Sequence, residues 1–484
     1  MVKRALWLVP LAIACTKKDP SAGKDAGSPD ATTTTVAVVT ASAAPIVEDA
    51  AAPEPAPKPA AGKDDVVAYI QARLPKGGSV EPGDPPKITH KVHPNESPQS
   101  IATKYFELTE FYKVEDLAAL IGKMSLVAGN DITIPRPLRA PLRPPKEEKI
   151  GWPEDKNLKG VFVTGAWASI KWTDTVDKVE EHGLNAVVLD GKDYDGYVNY
   201  PSKAKIAIES GALRANLIPD LTRAIRYAHW HGVRVILRIP CFHDPWVDKH
   251  LPDARLSIKY TPTGKPIHID WLDPTLPEAQ DYAIELAKEG IEAGADEIQL
   301  DYVRFPVHVG TKVAMLPPRD DRSKIIRDFV KRVRAVTSAE GVKLSLDFFG
   351  VTATGIQEDI NALGQDIATV APEADAISLM SYPSHYGKGF MNFQNPADHP
   401  EIIGISNKAA LEKLKPTGSK TIFRTWLQAF PLGVTHYDSA YLLAQAKSAE
   451  TSGGHGWLMW SPGCQYDQVW MGWPSVKGPN AKKP

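Results

Sequence analysis

Two aspartates close apolar runs of the same design: Asp301 ends EIQLD and Asp347 ends KLSLD. A pair of carboxyl groups in one site can divide acid/base or nucleophilic work, one giving a proton while the other attacks or activates water. The sequence also supplies what such a pair needs to hold a sugar. Trp167, Tyr382, Trp426 and Trp460 suit the apolar faces of sugar rings, while Asp190, Lys192, Arg238, Arg304, His385, Arg424 and Gln428 can bond hydroxyls or acidic substituents. This equipment is that of glycoside hydrolysis, with Asp301 and Asp347 as the catalytic pair and the others as substrate contacts. Which aspartate is the acid stays open, as does retention against inversion, which is set by the carboxyl separation. Purely structural roles also stay open: Asp301 could pair with Arg304 to close a loop, and Asp347 could hold Arg238 or Lys192.

The elements that must position these residues repeat. Apolar runs bounded by turn residues occur at 160–167, 185–190, 233–240, 296–303, 343–350, 375–382, 421–428 and 455–462. Helical patterns separate them, as at 218–231, 277–293 and 323–338. Alternating strand and helix argues a parallel sheet with right-handed crossovers, and eight units in this length predict a (β/α)8 barrel. An open doubly wound sheet would want a glycine-rich phosphate turn after its first strand, and TGAWAS is not one. In the fourth run Ile298 and Leu300 share one face and Glu297, Gln299 and Asp301 the other, so the polar set points inward. The candidate residues fall toward the C-terminal ends of the predicted strands, the end at which barrel enzymes place their active sites.

Composition narrows the class further. The 484 residues carry 58 acidic and 56 basic side chains, a net charge of -2, which excludes a strongly basic nucleic-acid binder. Three cysteines exclude a disulfide scaffold. No cofactor or metal site is expected. His229 and His231 sit two apart near a helix end and point away from each other, and His243, Asp244, His268 and Asp270 find no third ligand at metal spacing.

Lys3 and Arg4, then ALWLVPLAIA, then Cys15 resemble a bacterial lipoprotein signal, which implies lipidation of Cys15 and a cell-envelope protein, outer-membrane in a Gram-negative cell. Residues 16–87 read as an Ala/Pro/Thr-rich disordered tether, with one short helix at 64–74. Within 88–136, ITHKVHPNESPQSIATKYF, DLAALIG and SLVAGNDITIP resemble a LysM domain, in the order strand, helix, helix, strand. That resemblance implies peptidoglycan as a partner, although Asn95-Glu96-Ser97 departs from the family's usual turn. A Pro-rich linker at 137–157, the barrel at 158–470 and a tail at 471–484 complete the division.

The motifs KGVFVTGAW, VVLDGKDYDGYV, DEIQLDYVRFP, LSLDFFG, ISLMSYPSHY, RTWLQAF and GWLMWSP occur in that order over about 158–470. They resemble DUF4015, a bacterial family related to glycoside hydrolases. The resemblance implies a barrel, a hydrolase-like site with Asp301 and Asp347 as its acids, and a polysaccharide substrate. The rival expectation is an envelope lipoprotein that binds glycan without cleaving it.

Overall fold

Eight parallel strands form the centre of the protein. The computed structural model describes residues 63–142, 149–214, 217–260, 263–307 and 314–476. The leader, Cys15 and most of the expected tether lie outside these residues.

A small α+β module comes first. It comprises α1 (Lys63–Gln71), β1 (Gly78–Glu81), β2 (Lys87–Lys91), α2 (Pro98–Tyr105), α3 (Val114–Ile121) and β3 (Asp131–Ile134). The strands form an antiparallel sheet in the order β1-β2-β3. Ser97 caps α2 by accepting from the Ser100 N–H while Ser100 Oγ accepts from the Ser97 N–H, which satisfies two orphan donors. The expected strand, helix, helix, strand order of 88–136 is therefore present. The short helix expected at 64–74 is present as α1, whose Val66 and Ile70 bury against the module's own core, and β1 adds an unexpected strand within the stretch read as tether. Amphipathic spacing within DDVVAYIQARL supplies that burial despite the proline-rich flanks.

The barrel strands are β4 (Leu158–Val163), β5 (Ala186–Asp190), β6 (Arg234–Pro240), β7 (Glu297–Asp301), β8 (Lys343–Phe349) and β9 (Ala376–Met380). Next come β10 (Ile422–Phe423), β11 (Thr425–Gln428) and β12 (Gly456–Trp460). The crossover helices are α4 (Gly165–Glu181), α5 (Leu221–Trp230), α6 (Pro277–Ala293), α7 (Arg319–Ala339), α8 (Gln357–Leu363), α9 (Glu401–Leu414), α10 (Ser439–Glu450) and α11 (Asp467–Gly472). β10 pairs with β9 and β11 with β12, all parallel. Only Arg424 separates β10 from β11, so they are two halves of the seventh strand and the sheet closes into a (β/α)8 barrel. Strands such as β5 and β7 are buried at every residue, because helices cover one face and the barrel interior the other.

The N-terminal end of the barrel is sealed by a strap. The Ile150 and Gly151 N–H groups both donate to Asp296 Oδ1 at 2.8 Å, and Arg234 Nε donates to the Gly151 carbonyl at 2.7 Å. Trp152 Nε1 then donates to Glu297 Oε2 inside the barrel at 2.7 Å. The end of the segment expected as linker is thus part of the barrel floor. The barrel also keeps packing beyond residue 470, where the Val476 N–H donates to the Glu181 carbonyl at 2.8 Å.

The small module docks on α5. Arg223 Nη1 donates to the Phe111 carbonyl at 2.6 Å, its Nη2 lies 2.8 Å from Glu107, and its guanidinium lies over the Phe106 ring at 3.8 Å.

Candidate active site

Strands β5, β6, β7 and β8 are neighbours, and each sends one charged side chain into the barrel mouth. Arg238 of β6 is the hub. Its Nη1 donates to Asp190 Oδ1 at 2.5 Å and its Nη2 to Asp301 Oδ2 at 2.5 Å, and its Nε lies 3.7 Å from Asp347 Oδ2. All four residues are buried. The chain turns sharply after Asp301: Tyr302 has φ +50°, a left-handed backbone that costs an aromatic residue about 1–3 kcal/mol. That turn aims the Tyr302 N–H back at Asp301 Oδ1, 2.5 Å away. Asp301 therefore accepts two N–H donors, one at each oxygen.

Asp347 is held differently. Trp426 Nε1 donates to its Oδ1 at 2.7 Å. Its Oδ2 is buried and has no hydrogen-bond partner among the described residues. One guanidinium faces three carboxylates, and three such charges cannot all persist out of water. Burial first, and then the Asp301 charge, push the Asp347 carboxyl well above the usual range, against the pull of Arg238 and the Trp426 N–H. Burial likewise raises Asp190 to about 7, opposed by Arg238. Burial also works against Arg238, but its three carboxylates hold its charge. The cluster thus retains a proton near neutrality, and Asp347 is where it sits most firmly.

Other expected contacts prove to be committed within the protein. Lys192 is buried, 2.7 Å from Asp244 Oδ2, and donates to the Pro240 carbonyl at 2.8 Å. Asp244 itself caps the short helix Pro245–His250 through the Val247 N–H. Gly196 of the VVLDGKDYDGYV motif passes so close that a Cβ there would lie 2.2 Å from Asp244 Oδ1. Gln428 accepts from the Ser384 N–H at 3.0 Å and donates to the Phe430 and Leu432 carbonyls, so it ties two mouth loops together. Trp167 lies in the first turn of α4 and donates to Thr175 Oγ1 at 3.1 Å. Arg424 is not in the mouth: it is fully buried at the floor, paired with Glu297 and 5.4 Å from the Trp152 ring centre. Strand alternation selects the inward face, and Arg424 is inward, but the register places it below the site. Arg304 pairs with no carboxylate among the described residues, so the loop-closing pair with Asp301 does not form.

An aromatic wall stands beside the acids. Tyr382 and Trp460 lie 5.4 Å apart, centre to centre, and Phe430, missed from sequence, stands edge-on to Trp460 at 5.2 Å. His385 packs on Tyr382 at 5.0 Å, and burial lowers its pKa to about 4. A cavity of about 260 Å³ continues from Phe430 between the loops after β11 and β12, lined also by Tyr437, Gln465 and Asp467. A second aromatic group stands on the other side. His243 stacks near Tyr194 (4.4 Å) and Tyr302 (4.7 Å), with Trp271 edge-on at 5.3 Å. Burial, then the charges of Arg304 and Lys192, depress the His243 pKa to about 3, so the ring is neutral. Tyr194 and Tyr302 could have been found from sequence, since each sits within a few residues of a strand-end aspartate.

Cys241 and Cys464 are free and buried. Among the described residues no group of three or more His, Cys, Asp or Glu side chains could hold a metal ion. His229 and His231 are engaged elsewhere, His229 Nε2 lying 2.9 Å from Asp296 and His231 Nδ1 2.8 Å from Glu180.

Fold and site together define a (β/α)8 barrel with a carboxylate cluster at its C-terminal mouth. Residues 160–466 match the DUF4015 family model, described as "Putative glycosyl hydrolase domain", and the chain belongs to that family. No curated protein matches it. A hypothetical protein from Ruminiclostridium thermocellum is 32% identical over 39% of this chain and 96% of its own, with a TM-score of 0.34. The PgaB (BpsB) glycoside hydrolase domain from Bordetella bronchiseptica is 15% identical over 67% of this chain and 97% of its own, with a TM-score of 0.49. The catalytic domain of beta-amylase from Paenibacillus polymyxa is 11% identical over 66% and 95%, with a TM-score of 0.44. The family match, rather than these likenesses, carries the assignment.

Proposed function

We propose that the protein is a glycosidase acting on a cell-envelope or extracellular polysaccharide, with Asp347 as general acid and Asp301 as nucleophile or base. One observation carries the reading: the Asp347 carboxyl is buried and raised in proton affinity, and its Oδ2 has no hydrogen-bond partner among the described residues, beside an Asp301 whose two oxygens both accept N–H bonds. A free protonated oxygen suits a leaving-group oxygen, and a held carboxylate suits attack or water activation. Arg238 keeps the two in register, and Tyr382 and Trp460 offer ring faces for the sugar. Such an acid must be protonated, so kcat/KM falls as pH rises through the Asp347 pKa.

The test uses the full chain with peptidoglycan and a panel of acidic, neutral and amino-sugar polysaccharides, with released oligosaccharides read by mass spectrometry. Products from wild type, absent from Asp301→Asn and Asp347→Asn, support the reading. Full activity in either variant sinks the pair. Retention of one polymer by wild type and variants alike, with no product, replaces it with a glycan-binding protein.

We further propose envelope anchoring through a lipid on Cys15, and peptidoglycan contact through the small module. In that module Glu96, from the unusual turn, accepts from the His93 N–H at 2.7 Å and lies 2.5 Å from Lys104. Cys15→Ser should release the protein from membranes, and failure to do so overturns the anchor. Pull-down on insoluble peptidoglycan tests the module.

A further inference from the structure

Arg304 differs from the other buried arginines of the barrel interior. Arg238 has three carboxylates and Arg424 has Glu297. Arg304 is 5% exposed, yet among the described residues its only hydrogen bond is from Nη1 to the neighbouring Phe305 carbonyl, at 3.0 Å. Among the described residues no carboxylate pairs with it. Buried charges are normally paired, since desolvation otherwise removes most of their stability. Burial does lower its pKa, to about 10, which still leaves the group charged at neutral pH.

Its surroundings are rings rather than acids. The guanidinium carbon lies over Phe349 at 4.3 Å, Trp271 at 4.6 Å and Tyr302 at 5.4 Å. Phe349 ends β8, two residues past Asp347, and Tyr302 follows Asp301, so this group borders both catalytic candidates. Lys192, whose charge acts on His243 together with that of Arg304, is already paired with Asp244. What the position lacks is one planar anion, and what it offers around that anion is flat apolar surface. A guanidinium fork matches a carboxylate in two-point geometry, and ring faces match a pyranose.

We propose that Arg304 binds the carboxylate of a uronic acid unit, and that the polysaccharide recognised at this mouth is therefore acidic. This rests on the reading of the mouth as a glycan site, though not on cleavage there. Arg304 would act as a specificity residue: it contributes most when the sugar carries a carboxylate.

The test compares polygalacturonate and alginate with their carboxyl-reduced forms. Affinity electrophoresis of the full chain gives Kd, and released reducing ends give cleavage. We expect at least one acidic polymer to bind about 10- to 100-fold more tightly than its reduced form, the range of a charge-assisted contact. Arg304→Met should erase that ratio, and Arg304→Lys should keep part of it. Equal binding of acidic and reduced forms by wild type overturns the proposal, as does binding to neither acidic polymer. An undiminished ratio in Arg304→Met also overturns it, and retention by dextran sulfate alone overturns the carboxylate class. Should Arg304→Met not fold, the wild-type ratio and Arg304→Lys decide. Preferential binding without cleavage would sink the hydrolase and leave this inference standing. Cleavage of the reduced polymer as fast as the acidic one would do the reverse.

Discussion

The floor and the mouth of the barrel are built from the same ingredients. Each holds a buried arginine, acidic side chains and a tryptophan N–H. At the floor, Arg424 faces one carboxylate, Glu297, which also accepts from Ser345 and from Trp152 Nε1. Both side chains are fully buried and the formal charge there is zero. At the mouth, Arg238 faces three carboxylates, and one oxygen of Asp347 is left over. Balanced charge makes a plug. An excess of carboxylates makes a proton store, and strain at Tyr302 holds it in place.

The comparison breaks most visibly in catalysis. Replacing Asp301 or Asp347 by Asn should lower kcat by about 10²- to 10⁴-fold, the usual contribution of a positioned proton-transfer group. The thermal midpoint should fall little, because the mouth has acids to spare. A comparable loss of stability would make the mouth a second plug.

Glu297→Gln at the floor should do the opposite. It leaves Arg424 charged, buried and unpaired, which costs about 3–5 kcal/mol. Urea denaturation would read that loss, while activity per folded molecule should stay near wild type. A stable but inactive variant would show that the floor takes part in the chemistry.

Trp152→Ala should cost less, about 2–3 kcal/mol, since this ring is only partly buried. Combined with Glu297→Gln, the losses should fall short of their sum, because Trp152 and Glu297 share one hydrogen bond. Full additivity would mean that the strap does not seal the floor.

Much of this contrast was legible in the sequence, and the missing part has one cause. All eight barrel strands follow from apolar runs between helical patterns, and the inward set on β7 follows from alternation. Alternation reports the face of a strand but not height along the barrel axis, which depends on pairing with neighbours. Thus Arg424, Trp426 and Gln428 read as one set, while in the structure they serve a floor, a carboxylate and a loop tie. Lys192 shows a second limit, since its partner Asp244 lies on another loop. Trp152 shows a third: proline excludes regular structure without excluding an ordered extended strap.

The smallest effect tests the charge argument itself. Asp347 binds its proton more tightly folded than unfolded, because burial and then Asp301 raise it. That contribution to stability is fully present below the unfolded carboxyl pKa, about 4, and is lost as pH rises through the raised folded value. Asp347→Asn removes the titration and keeps the Trp426 contact, so its midpoint relative to wild type should improve from pH 5 to pH 9. At about 2–4 °C per kcal/mol the change is measurable by scanning calorimetry. Trp152→Ala at the floor removes no titratable group and should show no such improvement. If both variants responded to pH alike, the excess of carboxylates would not be what separates the mouth from the floor.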